Sequence, residues 1–240
     1  MRTSIVFIGT GKYINFLPRY YDSIKKHLAV DSEKRFHIFT DQTGFASWPA
    51  DTNVYQIQHM QWPFITLLRY KFMSLAIDRI ADADNCLFVD ADLMWNSETS
   101  IDELFGEKSH FGVQHPGFVF DPSKATFERR IESKAHVIES DDLSTYWQGC
   151  LWGAKSDQFS SMVRCLSDNV DSDLEKKVVA IWHDESHLNR YFIDNKSDVN
   201  TLHPGFATPE NWEIIKKAFP TKALHLHKKM EDFPRFEGLG

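Results

Sequence analysis

"NCLFVDADLMWNS", residues 85–97, runs apolar through its first half and then sets Asp90 and Asp92 one residue apart. A short apolar run bounded in this way reads as a core strand, and its two carboxylates must be holding something. Upstream, "SIVFIGT" (4–10) is a β-branched strand closed by glycines. Residues 12–29 then place Ile14, Leu17, Tyr21, Ile24 and Leu28 at the three- and four-residue steps of an amphipathic helix. "KRFHIFTD" (34–41) and "NVYQIQH" (53–59) alternate as strands do, and "PFITLLRYKFMSLAIDRI" (63–80) returns to helical spacing behind Pro63. Strand and helix alternate up to the DAD stretch, which predicts an α/β chain with a mostly parallel sheet flanked by helices on both faces. Downstream, "HFGVQHPGF" (110–118) and "STYWQGCLWGA" (144–154) read as strands around a charged loop, 121–143. Helices are expected over 155–194, and "KALHLHK" (222–228) reads as a final strand. Without repeats or linkers, the chain is expected to be one unit.

Ligands of such sheets lie at the carboxyl ends of the strands. Segments 9–12, 40–42 and 90–92 all fall at such ends and can converge on one crevice. Two carboxylates at i and i+2 on an ending strand can point to one side. Hard oxygen ligands of that kind suit Mg²⁺ or Mn²⁺ that keeps waters and takes substrate phosphates as its remaining ligands. The competing reading is a strand end with an Asx-type turn. "FIGTGKY" lacks the further glycines and the Lys-Ser/Thr pair of the phosphate-binding loops, so it reads first as a tight turn.

Composition narrows the class. The 240 residues carry a formal net charge of -7, and Lys and Arg cluster in nothing longer than pairs, which argues against nucleic acid as a partner. Met1 leads directly into an apolar strand, with no signal-peptide core and no membrane-length apolar run, so the expectation is a cytoplasmic chain without a membrane anchor. Cys86, Cys150 and Cys165 never form a CxxC and are read as reduced thiols. With 19 Phe, the core should be rich in phenylalanine.

The densest polar cluster is "AIWHDESHLNRYF", 180–192. His183 and His187, four apart, share a face if helical and raise a zinc hydrolase as an alternative. Asp184 stands where a zinc protease has its glutamate, and Glu185 is one residue further on. The plainer reading places both acids in the first turn of a helix, favoured by its dipole. "VQHPGF" (113–118) and "YWQGCLWGA" (146–154) mix aromatic faces with single polar groups, which suits a sugar ring and equally suits an aromatic core.

In order along the chain, "GKYINFL", "HIFTDQ", "FVDAD", "HPGF", "TFERR", "YWQGCLWGA" and "WHDESHLNRY" resemble glycosyltransferase family 6, the family of the ABO blood-group and α-1,3-galactosyl transferases. "HPGF" together with "WHDESHLN" is far more specific than a lone DxD. The resemblance implies a Rossmann-like GT-A fold in a single domain. Residues 1–108 would form a nucleotide-binding half, 109–227 an acceptor-binding and catalytic half, and 228–240 a mobile basic tail. It also implies a UDP-sugar donor and retaining transfer of galactose or N-acetylgalactosamine, in α-1,3 linkage, to a galactoside-containing glycan. Carried across, Ile8, Gly9, Thr10, Tyr13, Trp62 and Arg69 match donor-binding positions, and Asp90 and Asp92 match the pair that holds Mn²⁺ (or Mg²⁺) on the diphosphate. His115, Thr126 and Trp182 match acceptor contacts. Gln148 and Cys150 fall where the donor sugar is discriminated, the small Cys150 favouring N-acetylgalactosamine, and Gly149 between them is a donor-binding position. Asp184 matches the position that holds the donor sugar, Glu185 the catalytic carboxylate, and Lys229 and Arg235 the basic pair that closes over the diphosphate. Two departures stand out: Gln148 and Cys150 do not reproduce the vertebrate pairs, and "ATPENW" (207–212) has no clear counterpart of an acceptor-binding aspartate. A non-catalytic module that binds nucleotide sugars or glycans is the other competing reading.

Overall fold

A computed structural model describes residues 1–44 and 48–228. Ten strands form two sheets. In chain order they are β1 (Arg2–Ile8), β2 (Glu33–Thr40), β3 (Thr52–Gln56), β4 (Asn85–Val89), β5 (Leu93–Trp95), β6 (His110–Gln114), β7 (Trp147–Lys155), β8 (Val199–Leu202), β9 (Thr208–Pro209) and β10 (Ala223–His225). The larger sheet has the order β3-β2-β1-β4-β7-β6-β8. Within it β7 alone runs against its neighbours β4 and β6, and every other pairing is parallel.

"CLFV" is continuously apolar because β4 is covered on both faces. Leu87 and Val89 pack on one side with the helix Leu17–His27, against Tyr20 and Ile24. Cys86 and Phe88 pack on the other with Tyr70, Trp152, Phe159 and Met162. Phe7, Phe16, Phe36, Phe39, Phe88, Phe105 and Phe111 are among the largest fully buried side chains, as the composition led us to expect.

Two expected helices are broken, and the helical stretch 155–194 consists of two helices. Segment 12–29 opens as a 3₁₀ turn, Gly11–Phe16, and becomes α-helical at Leu17–His27, where Pro18 sits in the first turn and has no N–H to leave unpaired. Segment 63–80 divides into Phe64–Leu67, Arg69–Ser74 and Ile77–Ile80, because Leu68 and Ala76 leave helical backbone with ψ of 9° and 16°. Segment 155–194 divides into Ser156–Glu175 and His183–Asp194, with Lys177 at φ 59° in the turn between them.

The second sheet has the order β5-β10-β9 and grows directly from the acid pair. Asp92 immediately precedes β5, and β10 lies antiparallel to it with His225 opposite Leu93. Its strands are two or three residues long, too short to persist without these partners.

Candidate active site

Two adjoining hollows open where β1 and β4 end and β7 begins. The first is lined by Ile8, Thr10, Tyr13, Trp62, Arg69, Asp90, Asp92 and Lys228, among others. The second is lined by His115, Gln148, Gly149, Cys150, Trp182, Asp184, Glu185 and His225, and it shares Trp62, Arg69 and Asp90 with the first. Most residues singled out from the sequence therefore meet in one cleft.

Two of the described residues carried across as donor or acceptor contacts line neither hollow. Gly9 lies behind the first: its N–H donates to Phe39 O at 3.0 Å, and a Cβ there would fall 2.5 Å from the Phe7 ring, so glycine is needed for packing. Thr126 is exposed in a separate groove with Arg129 and Ile181, because the next residue, Phe127, turns inward to pack on Tyr146. Lys229 and Arg235 lie outside the described residues. Segment 40–42 reaches the crevice only indirectly: Gly11 N–H donates to Asp41 Oδ1 at 3.0 Å, and Gln42 Nε2 donates to Gly11 O at 2.8 Å. Gly11 sits at φ 55°, a conformation that favours glycine, so the turn that presents Thr10 needs the GTG spelling.

β7 holds the acid pair in place, since Asp90 N–H donates to Cys150 O at 2.8 Å. Asp92 is 1% exposed. His225 Nε2 lies 3.1 Å from its Oδ1, and Lys228 Nζ lies 3.2 Å from its Oδ2. Burial alone would push the Asp92 carboxyl up, but these two cations outweigh it and hold the group at about 2. At Asp90 burial prevails over the opposing charge of Arg69, and the carboxyl is raised. Ligand atoms of Asp90, Asp92 and His225 all lie within 4.8 Å of one another. Asp92 Oδ2 is buried and makes no hydrogen bond of good geometry. This donor set fits a small divalent cation that keeps open positions for water or phosphate.

Arg69 joins the two hollows. Its Nη1 donates to Gly149 O at 2.8 Å, its Nε lies 3.1 Å from Asp184 Oδ2, and its Nη2 lies 3.8 Å from Asp90 Oδ1. The guanidinium rests 4.4 Å from the Phe88 ring centre. Gly149 contributes both backbone groups: besides that carbonyl, its N–H donates to Glu185 Oε2 at 2.6 Å. A Cβ on Gly149 would stand 3.3 Å from Asp184 Oδ2 and 3.4 Å from Glu185 Cβ, so glycine leaves room for the acid pair of the helix His183–Asp194. Burial raises Asp184 to about 6, with Arg69 opposing, and raises Glu185 to about 7, with the Gly149 hydrogen bond opposing. The buried Tyr146 hydroxyl faces Glu185 and is pushed far up by burial and by that carboxylate.

The two histidines do not form a zinc pair. His183 opens its helix at φ 49°, outside helical backbone, and its ring meets Trp62 edge to face at 4.8 Å. His187 is buried, with Nε2 3.6 Å from Asp173 Oδ2. A four-residue step shares a face only where both ends are helical.

Among the residues at the cleft that escaped the sequence reading are two histidines and a tryptophan. His59 Nδ1 lies 2.9 Å from Thr10 Oγ1 in the first hollow, Trp212 lines the second, and His225 faces Asp92. "KALHLHK" did carry a signal, since its leucines and histidines alternate, but nothing local says that the histidine face meets residue 92.

A mostly parallel sheet, an acid pair at a strand end and a second acid pair across a shared cleft form an arrangement that suits glycosyl transfer, and the family match makes the chain a glycosyltransferase. The chain belongs to glycosyltransferase family 6, whose profile matches residues 3–222. It is similar to the O-antigen biosynthesis glycosyltransferase WbnI of Escherichia coli, 29% identical over 197 residues that make up 82% of this chain and 84% of that one. It is also similar to histo-blood group ABO system transferase 2 of Rattus norvegicus (24% over 231 residues, 89% and 66%). A third relative is globoside alpha-1,3-N-acetylgalactosaminyltransferase 1 of Mus musculus (26% over 205 residues, 80% and 57%). The chain thus spans 66% or less of the length of these two mammalian relatives. Among the described residues, no helix is long and apolar enough to cross a membrane.

Proposed function

We propose that this chain transfers N-acetylgalactosamine or galactose from a UDP-sugar, in α-1,3 linkage and with retention, to a galactoside acceptor, and that it depends on a divalent cation. The observation that carries the reading is the single cleft that joins the Asp90/Asp92 pair to the Asp184/Glu185 pair through Arg69. In this reading Ile8, Thr10 and Tyr13 receive the nucleotide, with Trp62 and Arg69 beside the diphosphate. Mn²⁺ held by Asp90 and Asp92 would neutralise charge on the leaving diphosphate, a contribution commonly worth several kcal/mol. Lys228 adds a second positive charge on the same side.

Asp184 positions the sugar hydroxyls while Arg69 fixes its carboxylate. Glu185 places negative charge where the sugar C1 becomes electron-poor, held at one oxygen by Gly149 N–H. Burial pushes the Cys150 thiol far up, so it presents a small neutral wall beside Gln148 and leaves room for an acetamido group. The α-1,3 linkage and the lean to N-acetylgalactosamine accord with the name of the globoside transferase relative. The deciding experiment is a UDP-release screen with UDP-galactose, UDP-N-acetylgalactosamine and UDP-glucose, each with galactoside acceptors and with or without Mn²⁺. Excess EDTA is expected to abolish transfer and added Mn²⁺ to restore it; full turnover in EDTA would refute the metal dependence.

On the acceptor side, the exposed faces of Trp182 and Trp212 stand with His115 around the mouth of the second hollow. The Trp212 ring packs beside "HPGF", 3.8 Å from where a Cβ on Gly117 would lie, and its exposed part is free to present a flat face to a pyranose. Trp212→Ala is expected to raise the acceptor KM roughly threefold to tenfold, the worth of one aromatic contact, with the donor KM unchanged. A rise in the donor KM alone would remove Trp212 from the acceptor side.

A further inference from the structure

We propose that His225 is the third protein ligand, through Nε2, of the divalent cation that Asp90 and Asp92 hold. This rests on the metal-dependent reading above and adds to it a residue that the DxD motif does not contain. Octahedral ligands at right angles on bonds of about 2.1 Å stand about 3.0 Å apart. His225 Nε2 is 3.1 Å from Asp92 Oδ1, so the imidazole already stands at the spacing of two adjacent ligands.

The backbone enforces that spacing. His225 pairs with Leu93 of β5 on one side and with Pro209 of β9 on the other. Leu226 N–H donates to Asp92 O at 3.0 Å, and Glu210 N–H donates to His225 O at 3.0 Å. The small sheet therefore works as a jig: β5 departs from Asp92, and β10 brings His225 back to it. Ligands carried on paired strands are held more tightly than ligands on loops.

Charge balance does not account for the histidine, because Lys228 already stands 3.2 Å from the other oxygen of Asp92. That oxygen is buried and makes no good hydrogen bond, which leaves it available to a cation that displaces the ammonium. The donor set is also placed for the reaction. Asp92 lines the first hollow, His225 the second, and Asp90 both, so a cation on all three sits at the seam between nucleotide and sugar. An imidazole nitrogen beside two carboxylates suits Mn²⁺ better than Mg²⁺.

The test is Mn²⁺ titration of the metal-free full chain, followed by the electron paramagnetic resonance of free Mn²⁺, together with spin-echo modulation spectra of the bound ion. Bound Mn²⁺ is expected to show nitrogen modulation that changes when the protein carries ¹⁵N-histidine. His225→Ala and His225→Gln are expected to lose that modulation and to weaken Mn²⁺ binding at least tenfold. Mn²⁺ bound without histidine nitrogen coupling would overturn the proposal while leaving the carboxylate pair as a metal site. Failure of the wild-type chain to bind Mn²⁺, with or without UDP, would overturn both this proposal and the metal-dependent reading. The wild-type spectrum decides the matter even if a variant does not fold.

Discussion

Glu185→Gln is expected to lower kcat by roughly 10²–10³-fold, the size of effect that follows loss of one preorganised electrostatic contact to a developing charge. The substitution keeps shape and an acceptor oxygen for Gly149 N–H, which now meets Oε2 at 2.6 Å. What it removes is the negative charge. UDP affinity should hold, because Glu185 lines the second hollow and is absent from the lining of the first. Calorimetric UDP binding beside steady-state turnover separates the two effects, and near-normal turnover would end the assignment.

The pH profile gives an independent reading of the same group. Glu185 lies at about 7 and Asp184 at about 6, both raised by burial. Each must be ionised for the roles proposed. The donor kcat/KM should therefore fall as pH drops below about 7 and steepen below about 6, the two carboxyls titrating as a linked pair. In Glu185→Gln the upper of these steps should vanish. An unchanged acid limb in that variant would assign the limb to another group.

How much of this was legible beforehand depended on range. β1 to β4 and their order of appearance could be read because buried runs, alternation and the glycines at 9 and 11 are local signals. The breaks at Leu68 and Ala76 could not, since neither residue is a glycine or proline and the backbone turns there for tertiary reasons. One such reason is visible: the break at Leu68 starts a new turn with Arg69, which is buried over Phe88. The strands β5 and β9 have almost no local signature; β10 was legible in "KALHLHK", but its partners were not, and the Asp92–His225 contact spans 133 residues. Sequence resemblance brought Arg69 to notice as a donor contact. Its bonds to Gly149, Asp184 and Asp90 come from three separate parts of the chain and could only be seen in the fold. The histidines at 183 and 187 misled for a related reason: the four-residue step implied a shared face, but His183, the first residue of its helix, sits at φ 49°, off helical backbone.

Arg69→Leu is expected to destabilise the fold by about 3–5 kcal/mol at pH 8, the usual cost of removing one partner from a buried ion pair. Leucine keeps an apolar stem but loses the guanidinium's place over Phe88 and its bond to Gly149 O along with the charge. Arg69 and Asp184 have side chains only 7% exposed, and without the guanidinium the Asp184 carboxylate is left buried with no cation beside it. The sign of the pH dependence follows from the Asp184 carboxyl. Its ordinary value is 3.8, and in the fold it already lies at about 6 with Arg69 present. Loss of Arg69 moves the folded value higher still. A folded value above the unfolded one means that ionisation costs stability. That cost is absent below the unfolded value and grows as pH rises toward the folded one. The gap between wild type and Arg69→Leu should therefore be widest at pH 8, narrow as pH falls toward about 6, and level off below that, where Asp184 is protonated in both folded proteins. Arg69→Leu combined with Asp184→Leu should recover much of the loss at pH 8, because no buried carboxylate then remains unpaired at that position. Urea unfolding of the three proteins at pH 8 and pH 5 measures both effects. A loss that is equal at the two pH values, with no recovery in the double variant, would show that Arg69 supports the fold by packing and not by holding the carboxylates together.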